Sequence, residues 1–137
     1  MIVVDVNTLV YLWIPGEMTE RAEKALQRDP HWAAPVLWRS EFRNVLAGYI
    51  RRGDMSASDA VRCLDGAESQ LAGHEYILPS SLVMQKVAAS GCSAYDCEYV
   101  ALAGDLNTVL VTSDKQILRA FPTLSVSLKV FSDTACD

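Results

Sequence analysis

The sequence opens MIVVDVNTLVYLW, residues 1–13. The feature that constrains the chain most is the aspartate that closes its first apolar run. A short apolar, β-branched run of this kind reads as a buried strand, most often in a parallel sheet. A carboxylate at the end of such a strand is costly unless it is hydrogen-bonded, paired or bound to a metal. In open α/β sheets, ligands sit outside the carboxyl ends of the strands, and Asp5 falls at that place. A structural use is equally open: Asp5 or Asn7 can cap a helix that begins near Thr8.

Strand and helix signals alternate along the rest of the chain. Strands are predicted over residues 1–6, 31–34, 75–78, 109–112 and 126–131. A short helix follows Val6 and stops at Pro15-Gly16. The next runs from Met18, with Thr19 as its cap, and ends at Asp29-Pro30. A long helix has Pro35 in its first turn and reaches Arg51-Arg52-Gly53. Ser56-Ala57-Ser58-Asp59 is a capping box for a helix closed by Gly73. Further helices span 79–90, stopped by Gly91, and run from Ser93 to about Gly104, with a short one over 115–120. Strands alternating with helices imply a parallel sheet covered on both faces. The expectation is one α/β domain over 1–137, a three-layer α/β/α unit with a mainly parallel sheet of about five strands.

Half of the 137 residues are apolar and 21% are charged, the composition of a globular chain. No stretch is long and apolar enough to span a membrane. The apolar start carries Asp5 and no basic n-region, so it does not read as a signal peptide, and a cytoplasmic location is expected. Cys63, Cys92, Cys97 and Cys136 form no C-x-x-C pair, and His31 and His74 lie far from them in sequence. Buried or idle thiols are the better reading than zinc ligands.

The net charge of −5 argues against a broad electrostatic grip on nucleic acid. If four of the 17 acids gather in one metal site, however, 13 remain against 12 basic residues. The rest of the molecule is then nearly neutral and can meet a phosphate backbone.

Four acids are candidates for that gathering. Asp5 and Asp114 follow the strands IVV and VLVT. Glu41 lies early in the helix from Pro35, with Asn44 on the same face. Asp96 lies in the first turn of the helix after Ser93. Each has an ordinary explanation: a surface glutamate near a helix N-terminus for Glu41, a capping-box position for Asp96, a cap for Asp114. Their weight comes from the combination, because all four could converge on one edge of a parallel sheet.

Taken together, VVDVNTLVYLW, SEFRNVLAGYIRRG and SAYDCEYVALAGDLNTVLVTSDKQI, with the spacing between them, resemble the PIN-domain nucleases, specifically those of the VapC toxin type. The likeness covers nearly the whole chain, less so after Phe121. Asp5, Glu41, Asp96 and Asp114 match the family's acidic quartet, and Asn7, Asn44 and Thr112 match its supporting polar positions. The resemblance implies a five-stranded parallel sheet in a three-layer sandwich, RNA cleavage dependent on Mg2+ or Mn2+, homodimerisation, and inhibition by a cognate antitoxin.

Phosphodiester hydrolysis needs an activated water, neutralised phosphate charge and help for the leaving oxygen, which two divalent ions can supply. Hard oxygen ligands select Mg2+ or Mn2+. Asp5 and Asp96 are expected as shared ligands, with Glu41 and Asp114 flanking or acting through water. Asn7, Asn44, Thr112 and Ser113 are candidates to orient them. No general base is assigned. Arg43, Arg51, Arg52, Lys115 and Arg119 are candidates for RNA contact, with solvated helix faces an equal reading. Trp13, Trp32 and Trp38 could stack on bases, although core or interface is the commoner use. For a homodimer, Leu9, Leu12, Trp13, Val45, Leu46 and Tyr49 are candidate interface residues.

Two alternatives stand beside the nuclease. One is a catalytically idle PIN module that binds RNA or protein. The other is an aspartate-nucleophile phosphotransferase, which would want a second acid where this chain has Asn7.

Overall fold

The apolar runs become strands and the capped segments helices in a computed structural model, which describes residues 1–134. In chain order the elements are β1 (Ile2–Val4), α1 (Val6–Trp13), α2 (Thr19–Arg28), β2 (Trp32–Pro35), α3 (Trp38–Arg51), α4 (Ala57–Gln70) and β3 (Glu75–Tyr76). They continue with α5 (Ser80–Ala88), α6 (Ala94–Asp105), β4 (Leu110–Thr112), α7 (Lys115–Ala120), β5 (Ser125–Ser127) and α8 (Leu128–Asp133). The five strands form one sheet in the order β3-β2-β1-β4-β5, and every neighbouring pair is parallel.

That order fixes where helices go. The chain steps from β1 outward to β2 and β3, then returns to β4 on the other side of β1. Right-handed crossovers send the two sets of helices to opposite faces. Packing follows: α1 lies against α2, α3 and α4, and α2 against α8, whereas α5 packs on α6, which covers β1 and β2. Because α6 is central, six of its residues are buried, from Cys97 to Ala103, and it has no polar stripe along most of its length. The core joins the fully buried Val3, Val4, Leu9, Trp32, Trp38, Phe42, Leu102 and Leu110.

Caps set the helix starts. The Ser56 hydroxyl accepts from the Asp59 amide, and Ser93 accepts from the Asp96 amide, as capping boxes predict. Gly53 and Gly73 take positive φ, 78° and 82°, just after α3 and α4, where a left-handed residue closes a helix.

Three readings of the sequence are corrected. Pro35 is the last residue of β2, not the first turn of a helix, and α3 starts at Trp38. The amides of Ala34 and Val36 both donate towards β3, to His74 and Tyr76. Position 35 ends β2 at the level where β1 also ends, so proline's missing donor costs the ladder no more than its final bond. Thr19 does not cap α2. Its hydroxyl accepts from the Gly16 amide and donates to the Tyr11 carbonyl, fixing the turn before the helix. The final strand is only Ser125–Ser127, because Ser127 caps α8 by accepting from the Val130 amide. Leu128 and Phe131 are then buried while Val130 is exposed, a spacing of helix and not of strand.

Leu9 and Leu46 cannot serve a dimer face, since both are buried in the chain's own core. Leu12, Trp13, Val45 and Tyr49 are only partly buried. Trp32 and Trp38 are buried, with their indole N–H groups donating to the Asp29 carbonyl and the Glu75 carboxylate, which removes them as stacking platforms for bases. Cys92 and Cys97 are buried free thiols and Cys63 is half-buried, while Cys136 lies outside the described residues. Among the described residues, no helix is long and apolar enough to cross a membrane.

Candidate active site

The strand order reverses between β1 and β4, and a crevice outside the carboxyl ends of the strands is expected at such a switch point. Asp5 follows β1 and Asp114 lies two residues beyond the end of β4, so the two acids stand at that crevice. They are tied through one hydroxyl. Thr112 Oγ1 donates to Asp5 Oδ2 at 2.5 Å and accepts from the Asp114 amide at 3.0 Å.

Asp5 is only 8% exposed, and each of its oxygens has a partner. Oδ1 accepts from the Thr8 amide at 2.9 Å and the Thr8 hydroxyl at 2.8 Å. The residue is therefore both the cap of α1 and an acid of the crevice. Burial raises its pKa, the hydrogen bonds from Thr112 and Thr8 oppose that, and the Asp114 charge adds to it.

Glu41 enters from the first turn of α3. That turn is pinned to the sheet edge by its neighbours. Arg39 grips Glu75 through two bonds of 2.7 and 2.6 Å and also meets Glu68 on α4, while Trp38 donates to the same Glu75 carboxylate. Glu41 Oε1 accepts from the Tyr99 hydroxyl at 2.5 Å. Its pKa is raised by burial, lowered by that hydrogen bond, and raised again by the charges of Asp96, Asp5 and Glu98.

Asp96 sits in the first turn of α6, held there by the Ser93 cap. Burial raises its pKa first and the charge of Asp114 second, against a hydrogen bond from Ser93. Asp114 caps α7 through Oδ1, which accepts from the Ile117 amide at 3.0 Å. The ordinary capping roles of Asp5 and Asp114 are thus real, and they orient the carboxylates instead of excluding them from the crevice.

The mutual shifts link all four acids: Asp5 with Asp114, Glu41 with Asp96 and Asp5, Asp96 with Asp114. Among the described residues, no Lys or Arg forms an ion pair with any of them. Nor do any three acids, histidines or cysteines among the described residues already stand close enough to grip an ion directly.

Of the supporting candidates, Thr112 touches the acids. Asn7, Asn44 and Ser113 are exposed. Thr8, Tyr99 and Glu98 belong to the site and were not singled out from the sequence. Thr8 and Tyr99 lie three residues after Asp5 and Asp96, the spacing that shares a helix face, which was the available signal. The candidate basic residues Arg43, Arg51, Arg52, Lys115 and Arg119 are all exposed, and Arg52 lies 4.8 Å over the Tyr49 ring.

No family model matches the chain. A relative by sequence is Ribonuclease VapC3 of Pyrobaculum aerophilum, 29% identical over 126 residues, which covers 90% of this chain and 96% of the relative. The fold matches the crystal structure of PAE2754 from Pyrobaculum aerophilum with a TM-score of 0.72 at 22% identity, over 95% of this chain and 92% of that one. It also matches FitAcB from Neisseria gonorrhoeae with a TM-score of 0.74 at 16% identity, over 94% and 99% of the two chains.

Proposed function

We infer that the chain is a VapC-type PIN-domain ribonuclease, a reading that its sequence relative and its fold both support. We propose that it cuts RNA phosphodiesters with the help of Mg2+ or Mn2+, as the toxin of a toxin–antitoxin pair. The observation that carries the metal-dependent reading is the set of four mutually repelling carboxylates at the strand switch point, with no Lys or Arg among the described residues paired to any of them.

Such a donor set fits a hard divalent ion. It is all oxygen, and buried like charges favour whatever neutralises them. The acids do not form a close cage, which suits magnesium, since that ion keeps several waters and takes few protein ligands. Asp5 and Asp96 would hold the shared ion, with Glu41 and Asp114 beside it or acting through water. When bound, divalent ions neutralise the phosphate, activate the attacking water and stabilise the leaving oxygen.

The chain's own residues set the geometry. Thr8 and Thr112 lock both Asp5 oxygens, so that carboxylate cannot turn away from the crevice. Tyr99 fixes one oxygen of Glu41 and leaves the other without a protein donor among the described residues.

The test is incubation of pure protein with single-stranded RNA in Mg2+, in Mn2+ and in EDTA. Cleavage in metal that stops in EDTA is the expected result. Turnover of small phosphate esters without RNA cleavage would favour the phosphotransferase instead, and RNA binding with no cleavage the idle module.

The acidic crevice also suggests how a cognate antitoxin would inhibit: by placing an arginine, whose planar fork binds carboxylates, into it. A homodimer is proposed as well, through the partly buried Leu12, Trp13, Val45 and Tyr49, because dimer faces are more apolar than ordinary surface. Sedimentation at micromolar concentration showing monomer alone would remove it.

A further inference from the structure

Beside the acids, α5 and α6 bound a cleft of about 300 Å³, at the lower end of small-ligand pockets. Leu78, Val83 and Met84 make its apolar side, and Ser80, Tyr95 and Glu98 bring polar atoms. Two of these residues join the cleft to the crevice. Tyr95 immediately precedes Asp96 in α6, and Glu98 immediately precedes Tyr99, whose hydroxyl donates to Glu41.

The lining is unusual for an idle surface. Tyr95 is 63% exposed and Met84 55%, and no aromatic ring or guanidinium among the described residues lies over the Tyr95 ring. Glu98 is partly buried, yet it has no ion-pair partner among the described residues. The cleft therefore offers a bare ring face, an apolar wall and an unengaged acceptor, one step from the acids.

We propose that this cleft seats an unpaired nucleobase adjacent to the RNA linkage that is cut, stacked on Tyr95 and hydrogen-bonded to Glu98. The proposal rests on the ribonuclease reading above. Proteins read RNA mostly at unstacked bases, which they lay on aromatic rings and bond along their edges. A carboxylate accepts and does not donate, so Glu98 favours a base edge rich in N–H groups, guanine first. Recognition of this kind needs no basic surface, which fits a chain of net charge −5.

The experiment uses a single-stranded RNA whose cut linkage has been mapped on the wild-type protein. A second copy of that RNA carries the fluorescent base 2-aminopurine beside the linkage. Stacking is worth a factor of about 5 to 150 per base. Tyr95→Ala should raise KM by that factor with kcat little changed, the mark of lost ground-state binding. Tyr95→Phe, which keeps the ring, should behave as wild type. Glu98→Gln should weaken the preference for guanine at that position.

In EDTA, where no cutting occurs, the wild type should quench the 2-aminopurine and Tyr95→Ala should not. This arm reads the cleft without cleavage, so it separates failure of the subsite from failure of the nuclease reading. Wild-type KM and quenching in Tyr95→Ala would overturn the subsite and leave the nuclease standing. A shift of Tyr95→Ala from dimer to monomer in sedimentation would overturn it too, by making the patch a subunit face.

Discussion

Asp5 caps α1 with one oxygen and takes the Thr112 hydroxyl on the other, so its carboxylate is fixed before any substrate arrives. Asparagine caps helices as well as aspartate but carries no charge. Asp5→Asn should therefore cut RNA about a hundredfold more slowly and yet melt in EDTA close to the wild-type temperature, the relieved repulsion offsetting the Thr112 hydrogen bond that an amide nitrogen cannot accept. Melting well below wild type would mean that the charge itself supports the fold. Thr112→Val should also slow cleavage but, unlike Asp5→Asn, should weaken the fold. It strips a donor from Asp5 and an acceptor from the Asp114 amide, and leaving buried polar groups unpaired costs about 1–3 kcal/mol. Denaturant unfolding should show that loss alongside slower cleavage.

The pH dependence follows from the same residues. Asp5, Glu41 and Asp96 all have raised folded-state values, in each case first through burial. A group whose pKa is raised on folding binds its proton more tightly in the folded state. Its stabilising contribution is present below the unfolded value and is lost as pH rises through the folded one. Metal-free protein should thus lose stability on the alkaline side of about pH 4, the ordinary carboxylate value. A melting series in EDTA checks the sign, and stability that rises with pH across that range would contradict it.

At the scale of elements, the seam between α1 and α4 depends on a glycine. A Cβ at Gly66 would lie 2.5 and 2.7 Å from atoms of the Trp13 ring. That ring cannot easily retreat, since its N–H donates to Gln70 Oε1 at 2.6 Å. Alanine in a helix interior gains about 1 kcal/mol over glycine, whereas overpacking costs about 1–3 kcal/mol. Gly66→Ala should be destabilising on balance and lower the melting temperature. An unchanged or higher temperature would show that the seam can open. α3, which packs beside that seam, and α6, in the other set of helices, each deliver an acid because their first turns are held, α3 by Arg39 and Trp38 on Glu75 and α6 by its Ser93 cap.

For the whole molecule, the proposed metal site predicts that divalent ions stabilise the fold by relieving the repulsion among the acids. An ion that binds the folded state alone adds about 2.7 kcal/mol at a hundredfold excess over its dissociation constant. Mg2+ or Mn2+ should raise the melting temperature and EDTA should return it, most clearly at neutral pH, where the unbalanced charge is greatest. The same treatment of Asp5→Asn should give a smaller shift. Equal shifts in both proteins would place the bound ion away from the crevice.

The sequence alone determined the order of strands and helices, since caps, breakers and apolar spacing are local signals. Ser56, Ser93 and Gly73 act where their neighbours predict. It also marked Asp5 and Asp114, because a carboxylate following an apolar strand is anomalous within a few residues of chain, whereas Glu41 and Asp96, in helix first turns, stand out only in combination with them. Tertiary structure decided how those acids are held. The Thr112 hydroxyl reaches Asp5 across 107 residues of sequence, and Tyr99 reaches Glu41 across 58. Thr112 stands among the supporting polar residues in the sequence but its partner does not show there, and a tyrosine in a buried helix looks like ordinary core until α6 is brought to the first turn of α3. The same holds for Pro35, Leu9 and Leu46. A proline is tolerated in a strand only when its missing donor faces no partner. Likewise an apolar helical residue turns inward or outward according to what packs beside it, and that neighbour is set by the strand order, not by the residues adjacent in sequence.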